Sequence, residues 1–134
     1  MRPLTPEQTV FVTERHLATL TTLRADGTPH VVPVAFTWDA DAQLVRITTE
    51  RTSVKARNVV TGAASGGARV AVCQVDGGRW LTFEGTATVS DDPDDVAEAV
   101  RRYAVRYRPL EPKPERVVLH VRPDRVLGSG YMTR

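Results

Sequence analysis

Three tight-turn signals, Ala25-Asp26-Gly27, Asp39-Ala40-Asp41-Ala42 and Asp76-Gly77-Gly78, cut this sequence into short β-prone runs, a spacing that points to antiparallel strands joined by hairpins. His16 to Leu23 and Thr28 to Trp38 flank the first turn. Gln43 to Thr49 follows the second, with Leu44, Arg46 and Thr48 facing opposite to Val45, Ile47 and Thr49. Arg69 to Val75 and Arg79 to Val89 flank the third. A last pair, Arg116 to Val121 and Arg125 to Leu127, precedes Gly128-Ser129-Gly130. The Cys73 run reads as buried strand, with the cysteine a small core residue.

Helix signals sit between these runs. Thr5, Pro6 and Gln8 give an N-cap, a first-turn proline and a capping box, predicting a helix to about Arg15. Thr52 and Ser53 cap a short helix to about Val60, closed by Gly62. Ser90-Asp91-Asp92-Pro93 caps the main helix, Pro93 to Tyr107, with Val96, Val100, Ala104 and Tyr107 on one face. Asp91, Asp92, Asp94 and Asp95 lie where a helix start favours acids, so they read as structural. Pro109, Pro112 and Pro114 stiffen the connector that follows. The expected fold is mainly β (α+β): about six or more antiparallel strands closed into a barrel with peripheral helices. A sandwich is the alternative, and closure is favoured because it removes two long unpaired edges.

The chain has 134 residues, 41% hydrophobic and 25% charged, which suits a single domain over residues 1–134 and excludes a disordered chain. No basic-then-apolar leader and no long apolar run is present, so a cytoplasmic protein without membrane association is expected. A net charge of +2 and a pI near 9.0 are too mild to imply nucleic acid. The single cysteine forms no internal disulfide. His16, His30 and His120 are scattered, without Cys or carboxylate at ligand spacing, and no metal site is expected. Trp38 and Phe83 read as core.

The segment Thr48 to Asn58 carries the chemistry. It runs from a strand end into a helix start and holds the cations Arg51, Lys55 and Arg57 with the hydroxyls of Thr48, Thr49, Thr52 and Ser53. A helix N-terminus repels cations by roughly 0.3–1 kcal/mol each, and a bound anion reverses that sign. Amide groups, hydroxyls and the Lys55 and Arg57 side chains make a cradle for a phosphate monoester. The competing reading is a solvated basic helix with Glu50 offsetting part of the charge. Lysine is rare here: Lys55 and Lys113 are the only two, against sixteen arginines.

His16 to Val34, Thr48 to Asn58 and Gly78 to Ala87 together resemble the pyridoxamine-phosphate-oxidase-like split β-barrel family, FMN-binding-like in fold, and more narrowly its deazaflavin-dependent branch. Arg102 to Arg108 and Arg125 to Ser129 are similar to the actinobacterial biliverdin-reductase-like members of that branch. The resemblance covers nearly the whole chain. It implies that Pro33, Val34, Ala35 and Phe36 line the cofactor ring, that Thr48 and Thr49 approach the ribityl and phosphate region, and that Ser53, Lys55, Arg57 and Asn58 hold the phosphate. Trp80 is implied near the ring or the partner subunit, since family members are homodimers with the cofactor in the subunit groove. The implied cofactor is coenzyme F420, with FMN as the alternative; FMN shares the ring and phosphate but lacks the lactyl-oligoglutamate tail, which Arg51 and Arg57 could meet.

The implied activity is hydride transfer from reduced deazaflavin to a conjugated small molecule, a tetrapyrrole such as biliverdin or a quinone-like compound. Trp80 would serve as an aromatic wall, and arginines such as Arg79 and those within Arg102 to Arg108 as propionate partners. An FMN-dependent oxidoreductase and a non-catalytic flavin- or tetrapyrrole-binding protein are the other readings. The sequence marks no dedicated acid or base. Pyridoxamine-phosphate oxidases proper end in a segment bearing Arg and His, whereas this chain ends Gly130-Tyr131-Met132-Thr133-Arg134, an argument against vitamin B6 oxidation.

Overall fold

The computed structural model describes residues 1–130; the terminal residues 131–134, used above against vitamin B6 oxidation, lie outside them. The elements in order are α1 (Pro6–Thr13), β1 (Ala18–Leu23), β2 (Pro29–Val34), β3 (Thr37–Asp39), β4 (Leu44–Glu50), α2 (Val54–Ala64), β5 (Ala68–Asp76), β6 (Arg79–Ser90), α3 (Pro93–Arg106) and β7 (Arg116–Gly128). The α1 capping box forms as expected, Thr5 Oγ1 accepting from the Gln8 amide and Gln8 Oε1 from the Thr5 amide.

All seven strands join one antiparallel sheet in the order β2-β1-β5-β6-β7-β4-β3. Its two edges, β2 and β3, are consecutive in the chain and separated only by Ala35 and Phe36. The single strand expected over Thr28 to Trp38 is therefore two. It pairs with β1, leaves the ladder for two residues, and pairs with β4. The sheet thus curls into a barrel whose seam is bridged by the covalent chain rather than by hydrogen bonds.

Phe36 turns inward at the seam, 1% exposed, edge-on to Phe83, while Trp38 stacks on Phe83 with centroids 5.0 Å apart. Leu20, Val45, Ile47, Val72, Leu81, Leu119 and Val121 complete the interior. Cys73 alternates out of it: Val72 and Gln74 face inward and the cysteine is half-buried on the outer face, a correction to its reading as a core residue.

Two further boundaries differ from expectation. The last two strands are one, because the ladder shifts between Glu84 and Gly85 and leaves Asp124 as an extra residue opposite them. Pro123 and Asp124 resemble a turn in sequence but form a β-bulge, a position where strand proline is tolerated. Gly85 is needed there, since a Cβ would lie 2.2 Å from the Arg122 carbonyl oxygen. Helix α2 runs past Gly62 to Ala64, because Gly62 is where the helix meets Ala68 at the start of β5 and a Cβ would sit 2.9 Å from the Ala68 Cβ.

Helix α3 seals one side of the barrel. Asp92 caps it by accepting from the Asp94 and Asp95 amides. Its most buried residue is Ala99, and the same face turns Arg102 and Arg106 toward the sheet. Arg106 donates to the Glu14 carbonyl from Nε (2.9 Å) and Nη2 (2.7 Å), to the Phe36 carbonyl (2.6 Å) and to Gln74 Oε1 (2.6 Å), and it stacks on Phe36 and Tyr107. Burial pulls its guanidinium below the ordinary value. The Tyr107 hydroxyl donates to the His16 carbonyl at 2.8 Å and lies 3.1 Å from that of Phe36. Backbone oxygens freed where the chain leaves the ladder are thus satisfied by the end of α3.

Candidate functional site

A cleft of about 310 Å³ opens where the seam, the start of α2 and the post-α3 connector meet, within the size range of small-molecule sites. One wall is apolar: Pro33 and Val34 at the end of β2, and Ala35 in the seam. A second comes from Thr48, Thr49 and Glu50 at the end of β4, with Lys55 from the first turn of α2. Tyr103 of α3, Leu110 and Lys113 of the connector, and Arg116 at the start of β7 complete it.

The local chemistry follows from β4 running straight into a capped helix. Ser53 accepts from the Ala56 amide at 3.2 Å and from the Thr49 hydroxyl at 3.0 Å, so it caps the helix with both lone pairs filled and keeps its own hydroxyl proton to donate. Lys55, half-buried in that first turn, and Arg116 have no ion-pair partner among the described residues. Lys113 Nζ lies 3.5 Å from Glu50 Oε1. Three cations against one carboxylate leave the lining with a surplus of two positive charges.

Of the residues singled out from sequence, Pro33, Val34, Ala35, Thr48, Thr49 and Lys55 meet in this cleft. The others fall elsewhere. Phe36 points into the core. Arg57 is exposed and stands about 200° round α2 from Lys55. Asn58 donates to the Thr22 hydroxyl at 3.0 Å and lines a separate cleft with Arg24 and Arg69. Trp80, 37% exposed, pairs with Val75 at the hairpin turn, at the far end of β6 from the Ser90–Val118–Thr48 rung that carries the cleft.

Arg51 is held by Asp91 (3.3 Å) and Glu115 (3.4 Å). Within Arg102 to Arg108, Arg102 pairs with Asp39 and Glu98, and Arg106 is buried as described. Sequence reasoning does not reach Tyr103, Leu110 or Arg116, which long-range folding brings in. Lys113 carries one signal: both of the chain's lysines line the same cleft.

His16 is not isolated from carboxylates. Its Nε2 lies 3.1 Å from Glu14 and 3.7 Å from Asp76, the one group of metal-competent side chains among the described residues. The guanidinium of Arg79 binds both carboxylates and holds them below the usual carboxylate range.

Among the described residues no helix is long and apolar enough to cross a membrane. The family model described as pyridoxamine 5'-phosphate oxidase matches residues 4–130. The chain is 48% identical over 127 residues to the F420H(2)-dependent biliverdin reductase of Mycobacterium tuberculosis (strain CDC 1551 / Oshkosh), covering 95% of this chain and 89% of that protein. A solved F420 reductase is 26% identical with a TM-score of 0.70, covering 88% of this chain and 94% of its own. A conserved hypothetical protein of Mycobacterium tuberculosis, 20% identical with a TM-score of 0.75 over 96% of this chain and 88% of its own, shares the fold.

Proposed function

The chain belongs to the pyridoxamine 5'-phosphate oxidase family, and from that premise we propose that it is a coenzyme F420-dependent oxidoreductase that reduces a conjugated small molecule, biliverdin being the substrate the relative's activity suggests. One observation carries the reading: the cleft sets an uncharged, apolar wall of Pro33, Val34 and Ala35 beside a lining with surplus positive charge. That donor set fits a ring system joined to anionic groups. Lys55 with the Thr48 hydroxyl holds the phosphate, charge-assisted and within reach of a helix N-terminus, while the Thr49 proton is given to Ser53. Pro33 to Ala35 support the ring without competing hydrogen bonds.

Bound reduced cofactor supplies the hydride, and reduction of biliverdin at its central methine bridge takes up that hydride and one proton. The protein aligns the two planar partners and keeps the anionic end of the cofactor in place.

The active form is a homodimer. Strand register aligns Pro33, Thr19, Cys73, Thr82 and Leu127 in one outward row, and Val31, Thr21 and Ala71 in the next, with Val75 and Trp80 beyond. Val31 is 56% and Val75 59% exposed. Charge enters these rows only at their far side, at Glu84 and Arg125. An uncharged face across four strands is a surface for association. Pro33 belongs both to this face and to the cleft, so a second copy seated there walls the site and gives Trp80 a route to it. One half-buried free cysteine is compatible with the reducing cytoplasm.

The test is equilibrium titration with coenzyme F420 and with FMN, followed by anaerobic mixing of protein, reduced coenzyme F420 and biliverdin while the bilin's long-wavelength band is watched. Tighter F420 binding and enzyme-dependent loss of the band are expected; tighter FMN binding would transfer the reading to an FMN enzyme. Sedimentation should give twice 14.8 kDa, reverting to monomer in Val31→Arg.

A further inference from the structure

The surplus charge of the cleft is divided between two walls, and only one belongs to the segment that announces itself in sequence. Lys55 stands with Thr48 and Thr49 on the β4–α2 side. On the other side, Lys113 and Arg116 lie on a single turn, closed by the Arg116 amide donating to the Lys113 carbonyl at 3.2 Å with Pro114 next to Lys113. Proline at that position fixes φ in advance. The turn is pinned to the sheet by the Arg51 amide donating to the Glu115 carbonyl at 2.9 Å. Arg116 is also the cross-strand partner of Glu50. Two cations are therefore held at a fixed place opposite the first.

Their present neutralisation is partial. Glu50 reaches Lys113 at 3.5 Å, both side chains being more than half exposed, and Arg116 has no ion-pair partner among the described residues. Arg46, Arg51, Arg69, Arg79, Arg101 and Arg102 pair with carboxylates; Arg116 shares its lack of an ion-pair partner with surface arginines such as Arg57 and Arg122 but, unlike them, lines the cleft. A cofactor that brought only a phosphate to Lys55 would leave this second pole unfilled.

Resting on the reading above, we propose that Lys113 and Arg116 receive the carboxylate-bearing tail of the deazaflavin, and that Glu50 is the resident carboxylate the tail displaces from Lys113. The phosphate at Lys55 and the tail at the Pro114 turn then anchor one ligand at two separated points. This makes the turn the element that distinguishes a tailed deazaflavin from a ligand ending at its phosphate.

The experiment measures dissociation constants by deazaflavin fluorescence for the wild type, Lys113→Ala, Arg116→Ala and Glu50→Gln, each with the oligoglutamate-tailed coenzyme and with an analogue trimmed to the phosphate. Lys113→Ala and Arg116→Ala should each weaken the tailed form about threefold to tenfold, and change the trimmed form less than about twofold. Glu50→Gln should tighten the tailed form, since a competing carboxylate is removed. Equal losses for both forms, or no loss for either, would overturn the tail assignment while leaving the F420 reading intact. If the wild type bound neither form, the parent reading and this one would fall together. Thermal unfolding midpoints of the variants within a few degrees of the wild type show that any loss is local.

Discussion

Two groups of cations lie close together in this molecule and do opposite work. Arg102 and Arg106 face inward from α3 with their donors filled: Arg106 by two backbone carbonyls and the Gln74 amide oxygen, Arg102 by Asp39 and Glu98. Lys55, Lys113 and Arg116 line the cleft with few partners or none. All five are cations near the barrel seam, yet the first group holds the barrel and the second awaits an anion. Partner satisfaction separates structural from ligand-binding charge, because a buried donor left empty is costly and a solvated one is not.

The contrast is broken most directly at Arg106. Arg106→Leu keeps the bulk but strands the Gln74 oxygen and leaves the Glu14 carbonyl to the His16 amide and the Phe36 carbonyl to the shared Tyr107 hydroxyl, and should cost about 3–5 kcal/mol in urea unfolding. A loss under about 1 kcal/mol would return this arginine to the pool available for substrate.

Asp39 tests the same group from the acidic side. Burial raises its carboxyl, but the Arg46 hydrogen bond, the Ala42 amide and the Arg102 charge outweigh that and leave it below the ordinary 3.8. A folded-state value below the unfolded one gives stability that is present above about pH 4 and lost as pH falls through that range. Asp39→Asn should remove this acid-dependent part of the stability–pH profile and cost on the order of 2–3 kcal/mol at neutral pH. An unchanged acid limb would show that other carboxylates carry it.

On the cleft side the effect should appear in binding and not in folding. Lys55→Ala is expected to lower F420 affinity by about 1.5–3 kcal/mol, roughly tenfold to a hundredfold, with the unfolding midpoint unmoved. Unchanged affinity would misplace the phosphate. The smallest expected effect is ionic: between about 50 mM and 500 mM salt, F420 affinity should fall severalfold because the cleft cations are partly solvated, while the stability held by Arg106 barely responds. Equal sensitivity of both would erase the distinction.

These cations also show what the sequence reveals. Local rules are enough for the helix caps, the hairpins and the passage from β4 into a Ser53-capped α2, since each depends on neighbours a few residues apart. The seam was not legible, because Ala35 and Phe36 carry no breaker signal and the strand divides only when its two halves find different partners. Pro123 suggests a turn by composition, and only the close approach of Gly85 shows it to be a bulge. The role of Arg106 was hidden because its partners, Glu14, Phe36 and Gln74, come from three distant segments. The second wall of the cleft was hidden likewise, apart from the scarcity of lysine.

The position of β7 has a consequence for how the chain is made. This strand, the last among the described residues, sits between β6 and β4, its first part (residues 116–121) pairing with β4 and residues 118–128 with β6. Until residues 116–128 leave the ribosome, the β3–β4 ribbon has no neighbour on its inner edge, and Phe36 has no closed interior to enter. Early strands can pair as hairpins during synthesis, but closure is a late, long-range event of the kind that folds slowly and leaves edges exposed meanwhile. A ribosome-stalled chain ending before Arg116 should therefore be protease-sensitive around Thr37 to Glu50, and one carrying β7 clear of the exit tunnel should be protected there.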